Sequence, residues 1–159
     1  MTIDFDMGPI VTSNCHIRIP SSTDCERMAV LATQLGYPSS AEEIERRITE
    51  MADRERFAVY VAEGPDHKVI GWIGVYVFMS VEVDKFAEIS GLIVDQNARC
   101  HGVGAKLLRA AEEWARTVGC LRISVRSNVV RERAHKFYLS HAFEFTKAQK
   151  SFVKRLHRP

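Results

Sequence analysis

The sequence lacks the cysteine and histidine spacings that build metal sites or disulfide frameworks. Its four cysteines are scattered, with no C-x-x-C pair; they are Cys15, Cys25, Cys100 and Cys120. Zinc sites and disulfide scaffolds need closer spacings, so neither is predicted. Five histidines also show no ligand or relay spacing; they are His16, His67, His135, His141 and His157. We therefore expect no bound metal.

Long apolar runs and a strong excess of one charge are absent too. No apolar run approaches the roughly 18 residues of a membrane-spanning helix, so no membrane partner is expected. The formal net charge is only +2, and the basic residues between Lys147 and Arg158 are interpreted as a solvated strand and tail, so no nucleic acid is expected. Met1–Asp6 is acidic without an apolar centre, which predicts no signal peptide and a cytoplasmic location.

The sequence does contain enough apolar material for one core. Of its 159 residues, 46% are hydrophobic and 26% are charged, which is ordinary globular usage. This length fits one domain, and no linker, repeat or low-complexity segment divides it. We predict a single domain over residues 1–159.

Hydrophobic periodicity predicts an α/β fold of about seven strands and about four helices. Capping residues mark helix starts, above all Ser40 with Glu43 three residues later. The predicted strands are 16–19, 57–63, 69–78, 86–94, 121–126 and two closing strands within 144–156. The predicted helices are one through Met28 to Leu35, one from Ser40 through Ile48, 102–118 and 130–140.

One loop between a predicted strand and a long helix has the features of an anion site. It reads Arg99-Cys100-His101-Gly102-Val103-Gly104-Ala105. The first amides of a helix lack intrahelical partners, and the helix dipole adds partial positive charge there. Gly102 and Gly104 carry no Cβ to keep an anion away, and Arg99 and His101 add donors. The loop therefore predicts a pyrophosphate site, although a turn that only reverses the chain has similar glycines.

Two nucleotide motifs that use the same physics do not fit this loop. A P-loop needs Lys followed by Ser or Thr after its last glycine, and Ala105-Lys106 fails that test. A dinucleotide fingerprint needs a small residue where Leu107 stands and an acidic residue near Ser124. Cys100 is interpreted as a small residue in a tight turn rather than a reactive thiol, because no base stands beside it.

Three motifs occur together along the chain. Arg99-x-x-Gly102-x-Gly104 follows Leu92-Ile93-Val94. Upstream, Phe86-Ala87-Glu88-Ile89 places Glu88 fourteen residues before Gly102. These two motifs resemble the coenzyme A signature and the glutamate-containing segment of the GNAT superfamily of N-acetyltransferases. A third set of residues, farther along the chain, resembles the second motif of the same superfamily. The resemblance covers nearly the whole chain; the downstream residues are Asn128, Ala134, Phe137, Tyr138 and Phe143.

This resemblance implies a mostly antiparallel mixed sheet, splayed at a bulge near Gly91, with acetyl-CoA as co-substrate. A glycine inside a strand often marks a bulge, although it can also only relieve crowding. By the resemblance, the amides of Leu92 and Val94 bind the thioester carbonyl and the pantetheine arm. Asn128 binds that arm or caps the next helix. The implied cofactor-binding residues are Leu92, Ile93, Val94, Arg99, Cys100, His101, Gly102, Val103, Gly104, Ala105 and Asn128.

Aminolysis of a thioester needs a proton acceptor, because an alkyl amine with a pKa near ~10 is protonated at neutral pH. Glu88 interrupts a largely apolar strand and is the candidate base; the alternative is an edge or solvent-facing carboxylate. Strict alternation places Glu88 on the face of Ser90, Leu92 and Val94 unless a bulge reverses it. By the resemblance, Tyr138 is the general acid, and a buried structural aromatic is the alternative.

The predicted function is transfer of an acetyl group from acetyl-CoA to a primary amine of a small molecule or peptide, by direct attack in a ternary complex. Tyr37 and Glu88 are expected to contact this acceptor. The alternatives are a non-catalytic acyl-CoA-binding regulatory domain and a protein or peptide N-acetyltransferase. The closing strands offer a place for homodimer formation.

Two positions depart from the superfamily pattern. His101 stands where Arg or Lys is usual, which predicts a weaker or pH-dependent phosphate contact. Ala142 stands where glycine is usual, so a left-handed backbone at this position would cost about 1 kcal/mol.

Overall fold

The computed structural model describes residues 14–156, so the prediction made on Met1–Asp6 lies outside the described residues. Five strands form one sheet in the order β1-β2-β3-β4-β5. Neighbours are antiparallel except β4 and β5, which are parallel, so the mixed and mostly antiparallel sheet is confirmed. The strands are β1 (His16–Arg18), β2 (Phe57–Glu63), β3 (Val69–Phe78), β4 (Phe86–Val94) and β5 (Ile123–Val125).

Within residues 14–156, four α-helices accompany the sheet, and one of them, the second, begins with a side-chain cap. At the second helix, the Ser40 hydroxyl accepts from the Glu43 amide at 3.2 Å and the Glu43 carboxylate accepts from the Ser40 amide at 2.9 Å, which confirms the predicted capping box. No helix within residues 14–156 is long and apolar enough to cross a membrane. The helices are α1 (Cys25–Leu35), α2 (Ala41–Glu50), α3 (Val103–Thr117) and α4 (Glu132–Ser140).

Helices cover both faces of the sheet. On one face, α1 and α2 bury a cluster of apolar side chains with Trp72 packed against it; its buried members are Met28, Leu31, Val61, Val69 and Ile93. On the other face lies α3, whose Leu107 and Leu108 are almost wholly buried. A Cβ at Gly71 would come within 3.1 Å of the Leu107 side chain, so β3 and α3 pack closely there.

The structure differs from the predicted sheet at its C-terminal end. Residues 141–156 contain no strand, so the sheet has five strands rather than about seven. In this segment Phe145, Phe152 and Leu156 are each at least 80% exposed. A strand forms only where a neighbouring strand supplies its hydrogen bonds. The two closing strands over 144–156 were therefore predicted wrongly for this chain.

The chain divides into two compact units, the first ending at Val125 and the second beginning at Arg126. The first contains the whole sheet with α1, α2 and α3, and the second contains α4. The single domain over residues 1–159 stays a prediction.

A buried ion pair before α1 makes the stability of the first unit pH-dependent. Asp24 is 7% exposed and accepts from both terminal nitrogens of Arg18 at 2.7 and 2.9 Å. These bonds, together with the Ser21 amide, lower the pKa of Asp24 to about 2 although burial opposes the shift. A lowered pKa adds stability above the unfolded value of 3.8, and this stability is lost as the pH falls through about 2.

We expect Asp24→Asn to lower the free energy of unfolding by ~2 kcal/mol at pH 7, and by less as the pH approaches 2. Urea unfolding at pH 7, 4 and 2.5 measures this difference. Asp66→Asn is the matched control, because its ion pair with Lys68 joins two exposed side chains and such pairs contribute little. Equal losses in both variants at pH 7 would contradict the prediction.

Candidate active site

A β-bulge at Ser90 divides β4 into two halves. In the ladder between β3 and β4, Gly74 lies opposite Gly91, but the next residue, Val75, lies opposite Ile89. Ser90 is therefore the extra residue on β4. The bulge predicted near Gly91 is confirmed.

The bulge decides which face of the sheet carries Glu88. Glu88 lies opposite Tyr76, and Ile93 lies opposite Trp72. Tyr76 and Trp72 share a face of β3 by alternation, so Glu88 and Ile93 share the face covered by α1 and α2. Strict alternation across the bulge predicted the other face for Glu88, the one of Leu92 and Val94. The extra residue shifts the alternation by one and reverses this face, as the sequence analysis allowed for a bulge.

Two glycines leave room for side chains on this face. A Cβ at Gly74 would come within 2.6 Å of the Ser90 hydroxyl, so Ser90 lies over β3 on the face of Glu88, as alternation predicted for this pair. A Cβ at Gly91 would come within 3.0 Å of the Trp72 ring. Gly91 thus both neighbours the bulge and relieves crowding. On this face, the exposed Ser90 comes between the buried Glu88 and the ring of Trp72.

Glu88 is a buried carboxylate held from both neighbouring strands. It is 7% exposed, which excludes the alternative of a solvent-facing side chain. The Tyr76 hydroxyl on β3 donates to Oε1 at 2.7 Å, and the Ser124 hydroxyl on β5 donates to Oε2 at 3.5 Å. An ionised carboxylate accepts hydrogen bonds and can take a proton, so this group is placed to act as a base.

The predicted anion loop forms an open backbone turn at the start of α3. Gly102 precedes the helix with a left-handed backbone (φ 78°), and a Cβ there would meet nothing within 4 Å. The Lys106 amide donates to the Gly102 carbonyl at 3.1 Å, which closes the first helical turn. The amides of Val103, Gly104 and Ala105 come before this bond and have no intrahelical acceptor. A helix N-terminus of this kind binds anions.

The other residues of the loop differ in exposure. Val103 is buried and anchors the turn, whereas His101 and Cys100 are exposed. Cys100 also has a left-handed backbone (φ 68°), in agreement with a turn residue. The Nε of Arg99 donates to the Val94 carbonyl at 3.0 Å, which ties the guanidinium to the last residue of β4.

Asp95, the residue after β4, was missed by the sequence analysis and fixes the loop to α1. Its buried carboxylate pairs with Arg27 of α1 and accepts from the Asn97 amide at 2.8 Å. Gln34 of α1 donates to it at 3.5 Å. The Asn97 amide above all, and then Arg27, lower the pKa of Asp95 although burial opposes this. Aspartate just after a strand and two residues before asparagine was the available turn signal.

The strands β4 and β5 pair over three residues only. The ladder joins Ala87 to Ile123, Glu88 to Ser124 and Ile89 to Val125. It ends where the bulge begins, and β4 continues to Val94. The backbone of Leu92, Ile93 and Val94 therefore lies beyond the end of this ladder, as the predicted separation of the strands requires.

The second unit carries Asn128 and Tyr138. The Asn128 side chain accepts from the Val130 amide at 3.2 Å in a local turn, whereas α4 begins after Arg131 without a side-chain cap, so Asn128 does not cap this helix. Tyr138 packs against the rings of Phe137 and Phe143, with centroids 5.3 and 5.2 Å away. Burial raises the pKa of Tyr138 to about 12. Its hydroxyl therefore stays protonated at neutral pH, as an acid must.

Two further predicted positions can be placed. Tyr37, expected to contact the acceptor, is 66% exposed and follows Gly36, which ends α1 with a left-handed backbone. Tyr37 thus stands at the end of a helix that covers the face of Glu88. In the second unit, Ala142 has a left-handed backbone (φ 62°), so the departure from glycine did not change the conformation.

Comparisons with known proteins agree on one family. The model of the acetyltransferase (GNAT) family matches residues 24–143. An aminoalkylphosphonate N-acetyltransferase from Salmonella typhimurium is 28% identical over 149 residues, covering 84% of this chain and 91% of the relative. An aminoglycoside N(6')-acetyltransferase type 1 from Stenotrophomonas maltophilia is 28% identical over 142 residues, covering 86% and 91%. A solved aminoglycoside N-acetyltransferase in complex with CoA has the same fold, with TM-score 0.78, 21% identity, and 91% and 97% coverage.

Proposed function

The chain belongs to the acetyltransferase (GNAT) family, and we propose that it transfers an acetyl group from acetyl-CoA to a primary amine of a small molecule or peptide. The observation that carries this proposal is the buried carboxylate of Glu88 beside the bulge of β4. A burial this deep costs free energy unless the group is hydrogen-bonded, so a carboxylate here needs a reason. Proton acceptance from an amine provides one.

Acetyl-CoA is proposed to bind along β4 and at the start of α3. Its pyrophosphate lies at the amides of Val103, Gly104 and Ala105, with Arg99, Cys100, His101 and Gly102 around it. The backbone of 92–94 follows the pantetheine arm, and Asn128 adds a side-chain contact. The open space at Gly102 and the CoA bound by a relative of the same fold support this arrangement. No metal takes part in the proposed reaction.

The proposed chemistry is a direct transfer. The amine nitrogen attacks the thioester carbon, and Glu88 takes the amine proton directly or through one water. The carbon–sulfur bond then breaks, and Tyr138 protonates the leaving thiolate. Tyr138 holds its proton at neutral pH, as a donor must, although the burial that raises its pKa to about 12 makes it a weaker acid.

The acceptor is proposed to be a small polar amine. The two curated relatives are named for aminoalkylphosphonate and aminoglycoside substrates, which are both small and polar. The charge of α2 does not choose between them, because Arg46 pairs with Glu50 and Arg47 with Glu43 within the helix. The exposed Tyr37 is the proposed contact for the acceptor.

Release of free thiol from acetyl-CoA tests this function. A panel of polyamines, amino acids, aminoglycosides, aminoalkylphosphonates and lysine peptides is assayed with the purified protein. We expect at least one small amine to release thiol well above background. Binding of acetyl-CoA without release on any amine would favour a non-catalytic acyl-CoA-binding domain, and release on peptides alone would favour a protein or peptide acetyltransferase.

Two substitutions separate the acid from the acceptor contact. Tyr138→Phe removes one hydroxyl and keeps the ring packing, so we expect slower turnover on every acceptor with little change in KM for acetyl-CoA. Tyr37→Ala should instead change KM among acceptors and spare kcat. Steady-state kinetics on the same panel measures both effects. The same pattern in the two variants would contradict the division of roles.

Homodimer formation and a cytoplasmic location stay predictions. The large exposed apolar side chains at Phe145, Phe152 and Leu156 support an interface in the second unit. A molecular mass in solution equal to that of one chain at all concentrations would contradict the dimer.

A further inference from the structure

One row of polar side chains crosses three strands of the sheet. Tyr76 on β3 lies directly opposite Glu88, and Glu88 lies directly opposite Ser124 on β5. The two hydroxyls bond to different oxygens of the carboxylate, Tyr76 to Oε1 at 2.7 Å and Ser124 to Oε2 at 3.5 Å. The shorter bond has the usual length for a hydroxyl donor, and the longer one is at the limit of a hydrogen bond.

The rows on either side of this one carry no buried polar side chain, although the exposed Ser90 lies beside Gly74 and the exposed Arg122 lies 4.1 Å over the Phe86 ring. Toward the C-terminus of β4, Gly91 pairs with Gly74. In the other direction, Phe86 pairs with Phe78, with ring centroids 5.0 Å apart. Apolar side chains at the positions of Tyr76, Glu88 and Ser124 would pack at a lower cost in free energy, because a buried charge needs partners to offset its lost hydration. The row is therefore not explained by stability alone.

The direction of the shorter hydrogen bond connects the row to the reaction. A tyrosine hydroxyl donates to an ionised carboxylate, and a donor of this kind favours the charged form over the protonated one. A general base must be ionised before the substrate reaches it. Tyr76 thus acts on the form of Glu88 that the proposed reaction uses.

We propose that Tyr76 is a positioning residue that holds the Glu88 carboxylate in a fixed orientation through its hydrogen bond, and that Ser124 assists it from β5. This inference rests on the proposed function, since it concerns the base of the same site. During the transfer, the N–H bond of the amine breaks and its proton goes to the Glu88 carboxylate. Tyr76 keeps its own proton throughout.

Tyr76→Phe tests the proposal because it removes only the hydroxyl. We expect the acidic limb of the kcat–pH profile to move toward higher pH by about one unit, since the ionised carboxylate loses a charge-assisted hydrogen bond. At pH values below the acidic limb, kcat of Tyr76→Phe should be about tenfold lower than that of the wild type. At pH values above the limb, the two kcat values should become similar. One acceptor amine is used for all variants, so its own titration is common to every profile.

Two variants make the comparison specific. Tyr60→Phe is the matched control, because Tyr60 on β2 lies opposite Ile73 and faces α3 on the other side of the sheet; its profile should equal the wild type. Ser124→Ala should move the limb in the same direction as Tyr76→Phe but less, since its bond to Glu88 is longer. A purely structural role would lower kcat equally at all pH values.

The double variant Tyr76→Phe, Glu88→Gln completes the test. If Tyr76 acts through Glu88, adding Tyr76→Phe to Glu88→Gln should change kcat less than twofold, whereas independent effects would multiply. An unmoved limb in Tyr76→Phe, or multiplying effects, would overturn the inference while leaving the acetyltransferase activity in place. Should Tyr76→Phe fail to fold, an unmoved limb in Ser124→Ala would overturn it. No thiol release by the wild type would instead count against the proposed function itself.

Discussion

Acetyl-CoA binding should be lost in Gly104→Asp. Gly104 lies in the first turn of α3, where backbone amides without intrahelical acceptors are proposed to hold the pyrophosphate. An aspartate there adds bulk and a negative charge at the anion site, so we expect Kd to rise by at least about 10²-fold, or ~2.8 kcal/mol. Isothermal titration calorimetry with sub-millimolar acetyl-CoA measures this loss.

The same substitution should leave the fold intact. An acidic residue in the first turn of a helix is favourable, and replacing a helical glycine removes a penalty of up to ~1 kcal/mol. Thr117→Asp is the matched control: it puts the same charge at an exposed position in the last turn of α3 and should bind as the wild type does. If the wild type itself shows no binding, the cofactor assignment fails. Unchanged affinity in Gly104→Asp would move the anion site away from α3.

Glu88→Gln should lower kcat by about 10²-fold or more, the usual contribution of a general base, and remove the acidic limb of the pH–rate profile. Glutamine has nearly the same shape, and its carbonyl can still accept from Tyr76, so the row across the sheet can persist. Stopped assays of thiol release between pH 5 and 9 give both quantities. A melting temperature close to that of the wild type would show that chemistry, and not folding, has changed.

Glu82→Gln is the matched control for this substitution. Glu82 lies in the loop between β3 and β4, is exposed, and accepts from Ser80 at 2.6 Å. We expect its rate and profile to equal those of the wild type. An unchanged rate in Glu88→Gln together with a slow Glu82→Gln would assign the base to the loop. Unchanged rates in both would leave Asp84 or a chain of waters as proton acceptor.

The sequence by itself determined those features whose physics is local. The capping box at Ser40 and Glu43 was predicted because its donors and acceptors are three residues apart. The anion loop was predicted for the same reason, since the glycines and the helix start are contiguous from Gly102 to Ala105. Motif spacing then indicated the family, and the family model confirmed it.

Only the tertiary structure decided the features that depend on pairing between distant segments. Gly91 indicated a bulge, but which residue is extra, and therefore which face carries Glu88, is visible only against the register of the partner strand. The pair of Arg27 with Asp95 joins residues 68 positions apart, and the row of Tyr76, Glu88 and Ser124 spans three strands. Residues 144–156 form no strand, because a strand needs hydrogen bonds from a neighbour, and no local pattern specifies that neighbour.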